Sequence, residues 1–289
     1  MTWQDSPVTN RTPEDPGVGR MIDVAGIRTN VLASGDPQSS PAVLLIHGSG
    51  PGVSAYSSWR LTMPALAGDY AVIAPDLLGF GRTERRQGIG YGMQAWTAHL
   101  VGVLDALGCE RAHVVGHSFG GSLALALAIN NPERVDRLVL TSAVGVSFPL
   151  TEGLDAVWGY QPSLESMRAI MGVFAYDAII DEDLVRMRYE SSIAPGVHEA
   201  YATMFPAPRQ ITLDAVCHDP ALVAKVPHPT LIVHGRDDRV IPFASSLRLF
   251  DLIGDSRLQG FSRSGHLVQI DHAADYNACL RAFLGEAAR

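Results

Sequence analysis

The chain has 289 residues, of which 47% are hydrophobic and 18% charged, a balance typical of a folded protein with a sizeable core. Its net charge of −8 is spread along the sequence without a basic patch, which argues against nucleic acid as a partner. No apolar run is long enough to cross a membrane, residues 1–20 do not resemble a signal peptide, and the three cysteines are far apart. We therefore expect a cytoplasmic protein without disulfides, metal or membrane contact.

Apolar and amphipathic segments alternate along most of the chain, beginning with an antiparallel hairpin over residues 21–32 that turns at Gly26. Further strands, most of them apolar on both faces, are predicted at 42–46, 71–74, 112–115, 137–140, 230–233 and 257–261. Helices are predicted at 92–107, 119–130, 243–252 and 272–285. The alternation indicates an α/β protein with a doubly wound, mostly parallel eight-stranded sheet.

The alternation stops between about Ser147 and Ile211, where the pattern favours several short amphipathic helices without strands. We predict a helical lid at 147–211, inserted after the sixth strand. The core is then made of two parts, residues 1–146 and 212–289. A detached second domain is the less favoured alternative, because no linker composition flanks the segment.

A Gly-x-Ser-x-Gly sequence at residues 116–120 lies between a predicted strand and a predicted helix. A serine at such a turn is held in a strained backbone conformation, with its hydroxyl lifted off the end of the sheet. Gly116 and Gly120 are needed if strand and helix pass too closely for a Cβ. Ser118 is therefore the predicted nucleophile, in preference to a structural turn serine.

The order of a hydrolase triad on this architecture is serine, then an acid, then histidine. Asp237 and Asp238 follow the strand at 230–233, and Asp238 is preferred because it has the Gly-x-x-Asp-x-x-x-Pro spacing. Asp237 remains the alternative. Only His266 and His272 follow these acids, and His272 opens the last helix, so His266 is the predicted base.

The developing oxyanion requires backbone donors, one of them from the residue after the nucleophile, Phe119. We assign the second donor to the amide of Ser49, in the glycine-rich loop 47–53 after the strand at 42–46, with Gly50 beside the substrate. Three glycines would also suit a phosphate cradle. However, neither Gly-Lys-Ser/Thr nor the dinucleotide spacing Gly-x-Gly-x-x-Gly is present.

Residues 45–55, followed by Trp59 and Arg60, resemble the oxyanion segment of the meta-cleavage product hydrolases. These are α/β-hydrolases that split carbon–carbon bonds in ring-fission products of aromatic catabolism. Further similar segments lie at 74–76, 79–81, 157–160, 173–177, 188–190, 204–206, 265–266 and at Gln269. The resemblance covers nearly the whole chain from about residue 21.

The resemblance implies a serine-dependent hydrolase of an anionic 2-hydroxy-6-oxohexa-2,4-dienoate, using water and no cofactor. The dienol is first ketonised, Ser118 attacks the C6 carbonyl, and 2-hydroxypenta-2,4-dienoate and a carboxylic acid are released. A serine-activated gem-diol is the alternative to an acyl-enzyme. Arg188, at the lid arginine position of the family, is expected to bind the dienoate carboxylate. Its alternative is a surface arginine paired with Glu190.

The family usually carries Asn, Asn and Trp where this chain has Ser58, His117 and Leu267. All three positions are expected to contact the substrate, as is Phe174 in the lid. The substitutions leave a carboxylesterase acting on small apolar esters as the alternative function. A non-catalytic binding protein is disfavoured because no triad member is missing. We also expect a homo-oligomer, a dimer or larger.

Overall fold

The computed structural model describes residues 15–86, 88–176 and 182–286. One sheet contains the strands β1 (Arg20–Val24), β2 (Ile27–Ser34), β3 (Ala42–Ile46), β4 (Ala71–Pro75), β5 (Ala112–His117), β6 (Val135–Thr141), β7 (Thr230–Gly235) and β8 (Ser256–Phe261). Their order across the sheet is β1-β2-β4-β3-β5-β6-β7-β8. β2 is antiparallel to β1 and β4, and all other neighbours are parallel, so the predicted α/β fold is confirmed.

The helices are α1 (Ala55–Trp59), α2 (Met63–Leu66), α3 (Met93–Ala106), α4 (Phe119–Asn130), α5 (Glu152–Trp158), α6 (Leu164–Phe174), α7 (Glu182–Ser192), α8 (Val197–Met204), α9 (Arg209–Ala215), α10 (Pro220–Val223), α11 (Phe243–Leu252), α12 (Val268–Asp271) and α13 (Ala273–Leu284). Among these helices, none is both long and apolar enough to cross a membrane. The short helices α1, α2 and α12 were not predicted, because four or five residues show no readable helical period.

The strands β3 and β4 are apolar and buried at every position, as expected where both faces of the sheet are covered. In β3, Leu44 and Ile46 belong to a core cluster with α3 and α4, whereas Val43 and Leu45 belong to a second cluster with α1 and α13. Side chains alternate between the two faces of a strand, so each cluster receives every second residue. Burying one such side chain contributes roughly 1.5–3 kcal/mol.

The opening hairpin turns through Ala25 and Gly26, whose φ angles of 50° and 82° are both left-handed. Two left-handed residues define the turn type whose twist suits a two-residue hairpin. The Gly26 amide also donates to the Asp23 carboxylate, at 2.9 Å. The predicted hairpin and its turn are therefore confirmed.

Between β6 and β7 the described part of the chain forms helices α5 to α10 and no strand. The helical segment extends beyond the predicted boundary at residue 211, because α9 ends at Ala215 and α10 follows it. The division into residues 1–146, 147–211 and 212–289 stays a prediction. Residues 1–14, 177–181 and 287–289, which that division includes, lie outside the described residues, as does Asp177 of the similar segment 173–177.

Candidate active site

Ser118 lies at the turn between β5 and α4, with φ 56° and ψ −121°. Its amide donates to the Thr141 carbonyl at 2.9 Å, and its carbonyl accepts from the amides of Gly121 and Val144, at 2.9 and 3.0 Å. These three bonds hold a backbone conformation that a non-glycine residue rarely adopts. The strained turn predicted for this serine is therefore present.

Two glycines allow strand and helix to approach each other at this turn. A Cβ on Gly116 would lie 2.2 Å from the Gly120 carbonyl oxygen, and a Cβ on Gly120 would lie 2.3 Å from the Ile46 carbonyl oxygen. Both distances are far below van der Waals contact. The glycine requirement inferred from the sequence thus has a steric cause.

Asp238 and His266, from the loops after β7 and β8, meet through a hydrogen bond of 2.8 Å between Asp238 Oδ2 and His266 Nδ1. The other carboxylate oxygen, Oδ1, accepts from the amides of Val240 and Ile241, at 2.7 and 3.0 Å. His234 Nε2 is 3.1 Å from Oδ2. The carboxylate therefore has a fixed orientation toward the predicted base.

The charge state of Asp238 follows from two opposing effects. Burial by itself raises the pKa of the carboxyl group, but the nearby imidazole of His266 and the hydrogen bonds from His234 and His266 lower it by more. The net pKa lies below the usual range of an aspartate. Asp238 is therefore ionised at neutral pH, as the acid member of a triad must be.

The alternatives Asp237 and His272 lie elsewhere. Asp237 Oδ2 accepts from the Arg263 amide at 3.0 Å, and His272 Nε2 is 3.1 Å from the Arg263 carbonyl oxygen. Neither side chain lines the cavity at the nucleophile. The structure brings Asp238 to His266, and does not bring Asp237 or His272 to Ser118.

A cavity lies beside Ser118, with about 350 Å³ of empty space that includes its opening to solvent. It is lined by Gly48, Ser49, Gly50, Val53, Ser58, His117, Ser118, Leu154, Val157, Phe174, Arg188, Val240, His266 and Leu267. Every predicted substrate contact is in this set. Among the described residues no hydrogen bond joins Ser118 to His266, and catalytic hydrogen bonds are often long before a substrate is bound.

Arg188 of α7 is only 4% exposed. Its Nε donates to the Pro51 carbonyl at 2.9 Å, its guanidinium lies 5.7 Å from the centre of the Phe174 ring, and its Nη2 has no partner. Burial lowers its pKa to about 10, so it remains a cation at neutral pH. No ion pair among the described residues involves Arg188, which rules out the surface pairing with Glu190.

The guanidinium of Arg188 fits beside residue 50 because glycine has no side chain. A Cβ on Gly50 would lie 2.5 Å from Arg188 Nη2 and 3.2 Å from the Phe174 ring. The unpartnered Nη2 therefore lies directly beside the glycine-rich loop 47–53, the predicted oxyanion loop, within the same cavity as Ser118. A buried cation with a free donor is suited to an anionic group.

His117, next to the nucleophile, is fully buried and its two ring nitrogens differ. Nε2 lies 2.9 Å from the His266 carbonyl oxygen, so it carries the proton and donates. Nδ1 has no partner, and a Cβ on Gly48 would lie 3.2 Å from it. Burial, reinforced by His266, lowers the pKa of His117 to about 3, so the ring is neutral and its free nitrogen is an acceptor.

A hydrogen bond from the helical segment between β6 and β7 holds the loop 47–53 in place. The Ser49 hydroxyl accepts from Trp158 Nε1 at 2.9 Å, and the Trp158 ring stacks on Phe205 with centroids 4.7 Å apart. The Phe119 side chain is buried against Trp96, outside the cavity lining. Its amide is the first of α4 and has no acceptor within the helix.

Sequence reasoning missed two contacts: the Trp158–Ser49 bond and the contact of His234 with Asp238. His234 lies at the carboxyl end of β7, four residues before Asp238. This short spacing is visible in the sequence and could have indicated the contact. Because His234 precedes the acid in the chain, the order serine, acid, histidine excluded it as the base. The described residues contain no group of three or more side chains suited to a metal ion.

A model of the α/β hydrolase family matches residues 43–278. A 2-hydroxymuconate semialdehyde hydrolase from Pseudomonas sp. (strain CF600) is 50% identical over 279 residues, covering 96% of this chain and 98% of that protein. A 2-hydroxy-6-oxo-2,4-heptadienoate hydrolase from Pseudomonas putida (strain F1) is 52% identical over 270 residues, covering 92% and 96%.

Among solved structures, a meta-cleavage product hydrolase from Pseudomonas fluorescens IP01 superposes with a TM-score of 0.92 at 48% identity, covering 95% of this chain and 100% of that one. The chain belongs to the α/β-hydrolase family. Within that family it groups with the meta-cleavage product hydrolases, which confirms the resemblance inferred from its sequence.

Proposed function

We propose that this enzyme hydrolyses the carbon–carbon bond between C5 and C6 of a 2-hydroxy-6-oxohexa-2,4-dienoate. The observation that carries the proposal is the buried, unpaired guanidinium of Arg188 in the same cavity as Ser118. A neutral ester gives such a cation no counterion, whereas a dienoate carboxylate does. The relatives that share about half of their residues with this chain are named for substrates of this type.

The carboxylate end of the dienoate has matching groups in the cavity. The carboxylate accepts from Arg188 Nη2, and the neighbouring 2-hydroxyl donates to the free Nδ1 of His117. Ser58 offers a shorter hydroxyl where an amide is usual in the family. Because His117 is neutral and its Nε2 is already bonded, it supplies an acceptor at a position where an asparagine can either donate or accept.

The chemistry then follows from the triad. The dienol loses its hydroxyl proton and gains one at C5, which gives a ketone able to stabilise negative charge at C5 when the C5–C6 bond breaks. Ser118 attacks the C6 carbonyl as His266 takes its proton, and the amides of Ser49 and Phe119 stabilise the oxyanion. Cleavage gives a dienolate that takes the proton held by His266 and leaves as 2-hydroxypenta-2,4-dienoate, and water then hydrolyses the acyl-enzyme to the carboxylic acid. Attack by a serine-activated water, through a gem-diol, is the alternative route.

A small substituent is expected at C6. Aliphatic side chains (Leu154, Val157, Val240 and Leu267) line the cavity together with the polar groups, which leaves an apolar space beside the scissile carbonyl. The two close relatives are named for an aldehyde and for a seven-carbon dienoate. We therefore expect hydrogen or methyl at C6 to be preferred over phenyl.

A spectrophotometric assay with a series of C6 substituents tests this function. Dienoates with hydrogen, methyl, isopropyl and phenyl at C6 are compared with p-nitrophenyl acetate by kcat/KM. We expect the hydrogen and methyl compounds to be turned over fastest. Ester turnover far above that of every dienoate would contradict the proposal and favour the carboxylesterase alternative.

The role of Arg188 has its own test with a control on the same helix. Arg188→Gln removes the buried cation, so turnover of dienoates should fall by about tenfold to a hundredfold, with little change for neutral esters. Arg186 is exposed on α7, and Arg186→Gln should leave both activities unchanged. Equal losses on dienoates and esters in Arg188→Gln would indicate a structural arginine instead.

Homo-oligomerisation and a cytoplasmic location stay predictions.

A further inference from the structure

His234, the last but one residue of β7, is a fully buried titratable side chain (0% exposed) that the reaction above does not use. Its ring packs edge-on against Phe243, with centroids 5.5 Å apart. Buried histidines are ordinarily held by hydrogen bonds of the neutral ring. The partners of this ring, however, belong to the triad.

The positions of these partners fix where the His234 proton lies. Nε2 faces two acceptors, Asp238 Oδ2 at 3.1 Å and the Ile241 carbonyl oxygen at 3.0 Å. A lone pair on Nε2 would be repelled by both, so Nε2 carries a hydrogen and donates. Nδ1 lies 2.6 Å from the Ser246 hydroxyl, which can donate to it.

Asp238 therefore receives four hydrogen bonds. Two backbone amides donate to Oδ1, and two imidazole N–H groups, from His234 and His266, donate to Oδ2. The carboxylate cannot rotate without losing bonds to groups that are themselves buried. The other titratable groups near this array are His117, whose ring is 4.7 Å from that of His266, and Asp271, which accepts from the Gly265 amide.

We propose that His234 is a positioning residue of the triad, acting through Asp238 with its own tautomer held by Ser246. It fixes Oδ2 toward His266 Nδ1, and its N–H shares the negative charge of that oxygen with His266. His234 does not touch the cavity, so its effect belongs to the rate of the chemical step and not to substrate binding. The inference rests on the proposed triad, but not on the identity of the substrate.

Two substitutions distinguish a positioning role of the His234 N–H group from a role of the ring in packing the core. His234→Phe keeps an aromatic ring of similar size and removes the N–H, and should lower kcat about tenfold or more with little change in KM. His234→Gln places an amide N–H near the position of Nε2 and should recover a substantial part of the lost rate. His228→Gln, at another buried histidine away from the cavity, is the control and should leave kcat unchanged.

Proton NMR gives a readout that a merely structural role would not move. The unmodified enzyme should show two strongly deshielded imidazole N–H signals, from His234 and His266, because both donate to the same carboxylate oxygen. His234→Phe should lose one signal and shift the other, whereas His228→Gln should retain both positions. A folded His234→Phe variant with unchanged kcat and an unshifted His266 signal would overturn the proposal, as would equal losses of kcat in His234→Phe and His234→Gln.

Both kcat measurements are made with a dienoate and with p-nitrophenyl acetate. Because the triad serves either substrate, His234→Phe should lower both rates by a similar factor. Failure of the unmodified enzyme to cleave dienoates would contradict the proposed function, while the ester measurements would still test His234.

Discussion

At the scale of single residues, the two oxygens of Asp238 are not equivalent. Backbone amides face Oδ1, and imidazole N–H groups face Oδ2. In Asp238→Asn the carboxamide oxygen must take the place of Oδ1, because the amides of Val240 and Ile241 cannot turn away. The NH₂ group then faces two N–H donors. His266 must then carry its proton on Nε2 instead of Nδ1. A protonated Nε2 has no lone pair and cannot accept the proton of Ser118.

We therefore expect Asp238→Asn to lower kcat/KM by on the order of 10⁴, with little change in the fold. Asp237→Asn is the matched control. Its carboxylate accepts from the Arg263 amide and lies near Arg236 at the surface, so activity should remain near that of the unmodified enzyme. Steady-state kinetics and the melting temperature of both variants check this. The reverse order of losses would assign the acid to Asp237.

At the scale of elements, α7 and the oxyanion loop are in direct backbone contact. Gly52 has φ 63°, and a Cβ there would lie 1.9 Å from the carbonyl oxygen of Arg188. The position of the loop and the position of the helix that carries Arg188 therefore depend on each other. A side chain at residue 52 must push α7 away from the loop.

Gly52→Ala should destabilise the fold by about 1–3 kcal/mol, since it adds both steric overlap and a strained left-handed alanine. It should also raise KM for dienoates, because Arg188 moves with its backbone. Gly68→Ala is the control, since a Cβ there meets nothing within 4 Å. Denaturant unfolding and steady-state kinetics measure the two effects. Equal behaviour of the two variants would show that loop and helix are not coupled.

The regular elements could be predicted from the sequence because each contains its own signal. β3 is a continuous apolar run, and the turn at Ser118 has glycines at the required positions. The Gly-x-x-Asp-x-x-x-Pro spacing then favoured Asp238, and chain order together with the position of His272 at the start of the last helix left His266 as the base. The sequence could not predict which ring nitrogen of His117 carries the proton, because that depends on a hydrogen bond to a carbonyl 149 residues away along the chain. The contact of His234 with Asp238 joins residues only four positions apart, and it was missed because the order serine, acid, histidine excludes a histidine before the acid as the base.

At the scale of the whole molecule, the protein buries many histidines in the neutral state. Burial is the main cause that lowers the pKa of His47, His99, His113, His117, His218 and His228. For His99 the pKa falls to about 4 and for His117 to about 3. The unfolded chain binds these protons below about pH 6.5, whereas the folded protein does not. Stability is therefore full at neutral pH and is lost as the pH falls from 6.5 toward 4.

We expect the free energy of unfolding to be lower at about pH 5 than at about pH 7.5, by about 2 kcal/mol from His99 alone. His99→Gln should reduce this difference, whatever its effect on stability at neutral pH. Urea unfolding of both proteins at both pH values measures it. Identical pH dependence in His99→Gln and the unmodified protein would contradict the assignment.

The central claim is that Ser118 is the nucleophile, or the group that activates water, for carbon–carbon cleavage of a dienoate. The most direct measurement follows a C6-methyl dienoate and its product, 2-hydroxypenta-2,4-dienoate, with purified enzyme and Ser118→Ala. We predict that the variant loses turnover by a factor on the order of 10⁴ to 10⁶ while still binding the dienoate, because removing one hydroxyl disturbs no packing. Release of 2-hydroxypenta-2,4-dienoate at a nearly unchanged rate by folded Ser118→Ala would contradict the account.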